Sequence, residues 1–83
     1  MSGNRIVDVR GKITSIEYPG WGTIPEVKVV LRTNSGDYQL RFQSRRNVEC
    51  LEIGQVISAT GAVVNRDSAA TIYNPSYIIE AEI

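Results

Sequence analysis

The chain contains no histidine and only one cysteine, one tryptophan, one phenylalanine and one methionine among its 83 residues. Without histidine there is no imidazole base near neutrality, no histidine-based nucleophile triad and no histidine metal ligand. A lone Cys50 cannot close an internal disulfide, which points to a reduced, cytoplasmic protein. Cys50 sits in "VECLEIG", between apolar neighbours and beside Glu49, and therefore reads as an inert, half-buried thiol with nothing to activate it. Neither of the glycine-rich phosphate-binding patterns, GxxxxGK followed by Ser or Thr or GxGxxG, occurs. No apolar stretch approaches the roughly 20 residues of a membrane-spanning helix. The opening "MSGNRIVDVRGK" breaks its apolar residues with charges, unlike a signal peptide. Charge of one sign is also missing in bulk: nine cations balance nine acids, which argues against coating nucleic acid by net charge. Glu80 and Glu82 alternate along an extended run and read as a solvated face rather than an acid/base pair. These absences predict a binding module that is not an enzyme and needs no cofactor or metal.

What is present is a pattern of strands. With 42% hydrophobic residues the whole chain, residues 1–83, reads as one domain, and a chain of this size buries only about 60–65% of its unfolded surface. Apolar residues recur with period two rather than with helical spacing. "IVDVRGKI" (6–13) sets Val7, Val9, Gly11 and Ile13 against Asp8, Arg10 and Lys12. "VKVVLR" (27–32) sets Val27, Val29 and Leu31 against Lys28, Val30 and Arg32, and "DYQLRFQ" (37–43) sets Tyr38, Leu40 and Phe42 against Asp37, Gln39, Arg41 and Gln43. "VISATGAVV" (56–64) and "TIYNPSYIIEAEI" (71–83) complete five predicted strands. "TNSGD" (33–37) and "NRDS" (65–68) read as tight turns that make hairpins of strands two and three and of strands four and five. "SRRNVECLEIGQ" (44–55) is a longer link with room for at most one or two helical turns before Gly54. Ile13 and Ile16 share a face only if a bulge falls near Ser15, and mid-strand Gly11 and Gly61 let a small sheet curl. Asn74 and Pro75 read as a turn or bulge that seats Tyr77. Five short, curled antiparallel strands with the longest link between three and four predict an all-β, five-stranded Greek-key barrel of the OB type.

Three stretches carry a resemblance: "VRGKITSIEYPGWGTIPEVKVVL", "FQSRRNVECLEIGQVISATGAV" and "YNPSYII". Across roughly residues 7 to 79 the chain resembles the small actinobacterial OB-fold nucleic-acid-binding-domain proteins. More distantly it is similar to anticodon-binding-like OB domains and to the wedge domain of the fork-remodelling helicase. In that family strand three ends in an aromatic residue, followed by a glycine, a pair of arginines and a short apolar segment reaching another glycine. Here Phe42, Arg45, Arg46 and Gly54 match, while Ser44 and Cys50 stand where glycine is usual. The resemblance implies an OB fold and nucleic-acid binding.

Charge patterning points the same way. Residues 28 to 46 hold Lys28, Arg32, Arg41, Arg45 and Arg46 against Asp37 alone, a local balance of +4, whereas residues 47 to 83 balance at −4. Strand parity puts Lys28, Val30 and Arg32 on one face with Gln39, Arg41 and Gln43, which predicts an outward polar patch. In OB folds the face of strands two and three, rimmed by the one–two and four–five loops, receives oligonucleotides. Tyr18 and Trp21 fall in the first of those loops and Arg66 in the second. The nucleic-acid-binding candidates are therefore Trp21, Tyr18, Lys28, Arg32, Arg41, Arg45, Arg46 and Arg66, with cations on phosphates and rings under bases.

Each candidate also has a plainer reading. Trp21 could be a lid on the core, Tyr18 a loop anchor, Arg66 a turn residue, and Lys28, Arg32 and Arg41 the solvated face of a hairpin. For Arg45 and Arg46, phosphate contact is favoured because two adjacent arginines lack a local acid to pair with. With three or four phosphates neutralised, the logarithmic salt slope of binding is expected near −2 to −3. The predicted partner is single-stranded DNA or RNA. The competing function is a protein-interaction or assembly module using the same face. An oligosaccharide ligand is a weaker third.

Overall fold

Period-two alternation means that every second side chain of a strand can enter one shared interior, and the strands wrap to supply it. A computed structural model of the chain describes residues 5–44, 48, 50–66 and 68–81, and no helix occurs among them. Six strands form: β1 (Arg5–Glu17), β2 (Glu26–Thr33), β3 (Gly36–Gln43), β4 (Val56–Arg66), β5 (Ala69–Tyr73) and β6 (Ser76–Ala81). β1–β2, β2–β3, β4–β5 and β1–β4 are antiparallel and β3–β5 is parallel, so a closed ring runs through five strands. The buried side chains of Val27, Val29, Leu31, Leu40 and Phe42, inward by the parity of β2 and β3, fill its interior together with Ile57, Ala59 and Ile72. Each large aliphatic among them contributes about 1.5–3 kcal/mol over its exposed state.

The ring closes because β1 serves two partners. Its first part, Arg5 to Lys12, pairs with β4, and its second part, Lys12 to Glu17, pairs with β2. At the handover a β-carbon built on Gly11 falls 2.2 Å from the Arg32 carbonyl oxygen, a separation no other residue type tolerates. Immediately afterwards the β1–β2 register shifts between Ile13 and Ser15. This is the expected bulge, and it lets Ile13 enter the core while Ile16 packs against it.

The last expected strand is broken in two. Residues 69–73 pair with both β3 and β4, whereas residues 76–81 continue along β4 alone. Pro75 has no amide hydrogen to donate, and Asn74 takes a left-handed backbone with φ of 50°. Asn74 then stitches the break to the end of β3. Its backbone N–H donates to the Arg41 carbonyl (2.8 Å), its Oδ1 accepts from the Gln43 N–H (2.9 Å), and its Nδ2 donates to Gln43 Oε1 (3.3 Å). Beyond the break Tyr77 packs edge-to-face on Phe42, with ring centroids 5.7 Å apart.

The described residues of the long link form turns, within the expected limit of one or two helical turns, but Cys50 is exposed rather than half-buried as expected. The reason is local: Val48 and Leu51 reach the core, while Cys50 between them has φ of 69° and stands outside it. Buried Gln55 secures this shape, accepting from the Glu52 N–H (2.7 Å) and donating to the Cys50 carbonyl (2.9 Å). Ser44 is also left-handed, at φ of 64°, and its N–H donates to the Pro25 carbonyl at 2.8 Å. Thus Ser44 and Cys50 both have the backbone geometry that glycine adopts most readily.

Candidate functional site

Outside the ring the paired registers line side chains up across four strands. Glu17 on β1 lies opposite Lys28 on β2, Lys28 opposite Arg41 on β3, and Arg41 opposite Tyr73 on β5. At about 4.8 Å between neighbouring strands, this row extends about 14 Å. Two adjoining grooves meet on it, sharing Glu26 and Arg41. One, of about 260 Å³, is lined by Glu17, Tyr18, Pro19, Gly20, Thr23, Glu26, Lys28 and Arg41. The other, of about 470 Å³, is lined by Ile24, Pro25, Glu26, Arg41, Gln43, Ser44, Arg66 and Tyr73.

The β1–β2 loop borders both grooves and is shaped by a turn. The Thr23 N–H and hydroxyl both donate to the Gly20 carbonyl, at 3.3 and 2.8 Å, and Gly22 has φ of 75°. A positive φ at the third residue of a turn is what glycine supplies without strain. Trp21 therefore stands on the crest of the turn, 98% exposed, with Ile24 at 85% and Tyr18 at 52%. The lid reading of Trp21 is overturned, because a ring covering the core would lose its solvent exposure. Tyr18 lines the smaller groove, but Trp21 itself lines neither.

The cations are distributed less simply than their sequence clustering suggested. Lys28 and Arg41 are adjacent on the outward face, as parity predicted, and Arg66 reaches the larger groove with its guanidinium carbon 6.0 Å from the Tyr73 ring centroid. Arg32 lies at the hairpin end opposite Asp37, with Nε 3.5 Å from the carboxylate, and lines neither groove. Arg45 and Arg46 lie outside the described residues. Two of the expected four excess positive charges are compensated locally by acids from outside that window. Lys28 pairs with Glu17 at 3.8 Å, and Arg41 pairs with Glu26 at 3.4 Å while also donating to Gln39 Oε1 at 3.1 and 3.4 Å. A charge count begun at residue 28 leaves out both carboxylates, which only the strand register brings into place.

Sequence reasoning also missed Tyr73 and Ile24. Tyr73 shares the outward parity of Arg41 through the parallel β3–β5 pairing, which no local pattern announces. Its hydroxyl is buried and has no hydrogen-bond partner among the described residues. Such groups are rare in folded proteins and mark places where water or a ligand supplies the missing bond.

A second polar cluster lies on another face of the ring, where Glu80 accepts hydrogen bonds from the Ser58 hydroxyl and from Arg10 Nε (3.2 Å), tying β6 to β4 and β1. These bonds, that of Ser58 foremost, hold the Glu80 carboxyl below the ordinary glutamate range. No group of three metal-ligating side chains occurs among the described residues. No protein family, curated protein or solved structure matches the chain.

Proposed function

We propose that the chain is a non-enzymatic module of the OB type that binds single-stranded nucleic acid across the outer face of β2 and β3. A five-strand ring with its longest link between β3 and β4, and an outward β2–β3 face bordered by the β1–β2 and β4–β5 connections, supports the OB reading. The observation that carries the binding reading is the continuous row from Lys28 through Arg41 to Tyr73. It joins two grooves between a loop bearing Tyr18 and Trp21 and the end of β4, which bears Arg66. Cations placed between flat rings suit a strand whose bases are unpaired, since each stacked base adds about 1–3 kcal/mol. Two stacked bases and a few phosphates give an affinity in about the micromolar range.

Titration of short single-stranded DNA and RNA while following Trp21 emission tests this reading. Saturable quenching that weakens with salt, and is lost in Trp21→Ala (followed by ligand anisotropy) or in Lys28→Ala/Arg66→Ala, is the expected result. A second reading, a protein-docking face, draws on the three exposed apolar side chains Tyr18, Trp21 and Ile24 in one loop. Emission that no oligonucleotide changes, together with self-association that Trp21→Ala abolishes, would establish that reading instead.

A further inference from the structure

The electrostatics of the groove say what kind of nucleic-acid ligand it accepts, an inference that rests on the function proposed above. Along the two grooves the described charged residues are Lys28, Arg41 and Arg66 against Glu17 and Glu26, leaving one net positive charge. The Glu26 carboxylate accepts a hydrogen bond from Arg41 at 3.4 Å, and that of Glu17 lies 3.8 Å from Lys28 Nζ. Arg41 is the more committed, its side chain only 12% exposed and its guanidinium shared between Glu26 and Gln39. Glu26 is itself largely covered, at 27%, so this pair is screened less than a surface pair. Glu17 is 71% exposed and holds Lys28 from the rim. A phosphate approaching either cation meets a carboxylate already in place, and the attraction that drives counterion release is correspondingly reduced.

We propose that Glu17 and Glu26 are specificity-determining residues that suppress phosphate-led binding, so that the groove selects ligands by their unpaired bases and rejects polyanions that lack them. Stacking on Tyr18, Trp21 and Tyr73 is indifferent to this compensation, because a ring needs a base's flat face rather than a charge. A strand with bases therefore gains what an abasic strand of equal charge cannot.

The test compares the intact protein with Glu17→Gln, Glu26→Gln and the double variant. Binding is measured at 50 and 200 mM salt, with fluorescently labelled oligothymidylate and an abasic strand of equal length as the two probes. Glutamine keeps the side-chain shape and an acceptor for Arg41, and the exposed Glu17 position alone serves should the partly buried one impair folding, as judged by circular dichroism. In single strands each phosphate contact contributes about 0.7 to the logarithmic salt slope. Releasing one cation therefore adds about a 2.6-fold loss of affinity between the two salt concentrations, and releasing two adds about 7-fold. The expected result is that the wild type prefers oligothymidylate strongly over the abasic strand, and that the double variant gains abasic binding together with the steeper slope. If the wild type binds oligothymidylate but the variants keep its slope and its preference, the role assigned to the carboxylates is wrong. If no version binds either probe, the nucleic-acid reading itself fails, and this inference falls with it.

Discussion

Replacing Gly11 by alanine tests the claim that ring closure depends on one missing side chain. A β-carbon there lies 2.2 Å from the Arg32 carbonyl oxygen, 2.8 Å from its carbonyl carbon and 2.9 Å from Thr33 Cγ2. All three separations fall short of an ordinary contact of 3.4–4 Å, and two of the three atoms belong to backbone that β2 shares with β3 through the Arg32–Asp37 pairing. No rotamer change relieves the overlap. Either β1 moves away from β2 at the handover, or both strands bend. Overpacking in a core typically costs about 1–3 kcal/mol when side chains can adjust. Where backbone has to shift, about 3 kcal/mol is the lower end of the expectation. For a domain of this size each kilocalorie per mole displaces the melting temperature by about 4–8 °C, so Gly11→Ala should melt at least about 12 °C lower. Gly20→Ala is the control: its added carbon meets only Thr23 Cγ2 at 3.8 Å, an ordinary contact, and it should melt within a few degrees of wild type. Thermal unfolding followed by far-ultraviolet circular dichroism reads both. A Gly11→Ala protein as stable as the control would refute the account of how β1 passes from β4 to β2.

Two further perturbations follow from the loops and from the second polar cluster. Ser44→Gly and Cys50→Gly each relieve a left-handed backbone that costs a non-glycine residue about 1–2 kcal/mol, offset by about 0.4–1 kcal/mol of added unfolded-state entropy. Urea unfolding should thus show each variant between unchanged and about 1.6 kcal/mol more stable, and a clear loss would contradict the geometry. Glu80 has a folded-state pKa below its unfolded one, so its hydrogen bonds to Ser58 and Arg10 contribute fully above the ordinary glutamate range and are lost as pH falls through the lowered value. Glu80→Gln should therefore lower stability at pH 7 and narrow the difference from wild type toward pH 3, which a series of urea melts across that range would show.

Much of the strand plan was legible without coordinates because burial imposes a period-two rhythm that survives in any strand with one face inside. The bulge at Ser15, the hairpin at 33–37 and the break at Asn74–Pro75 were legible for similarly local reasons: a phase slip, a glycine in a turn and a residue with no N–H. What the break does was not legible. That Asn74 binds the end of β3, and that residues 76–81 leave the ring to follow β4 alone, depends on partners about thirty and twenty residues away. The exposure of Cys50 escaped prediction in the same manner, since one left-handed residue reverses the side chain's direction without altering the apolar pattern around it.

The candidate site divides along the same line. The sequence alone determined which side chains face outward on β2 and β3 and which loop carries the only indole, because parity and turn chemistry are properties of neighbours in the chain. Only the tertiary structure decided what stands beside them. Register set Glu17 against Lys28, folding put Glu26 on Arg41, and a parallel pairing brought Tyr73 into the row. Charge and stacking act through space over a few ångströms, so counts along a sequence window mark where cations are made, whereas the sheet determines which of them meets an acid.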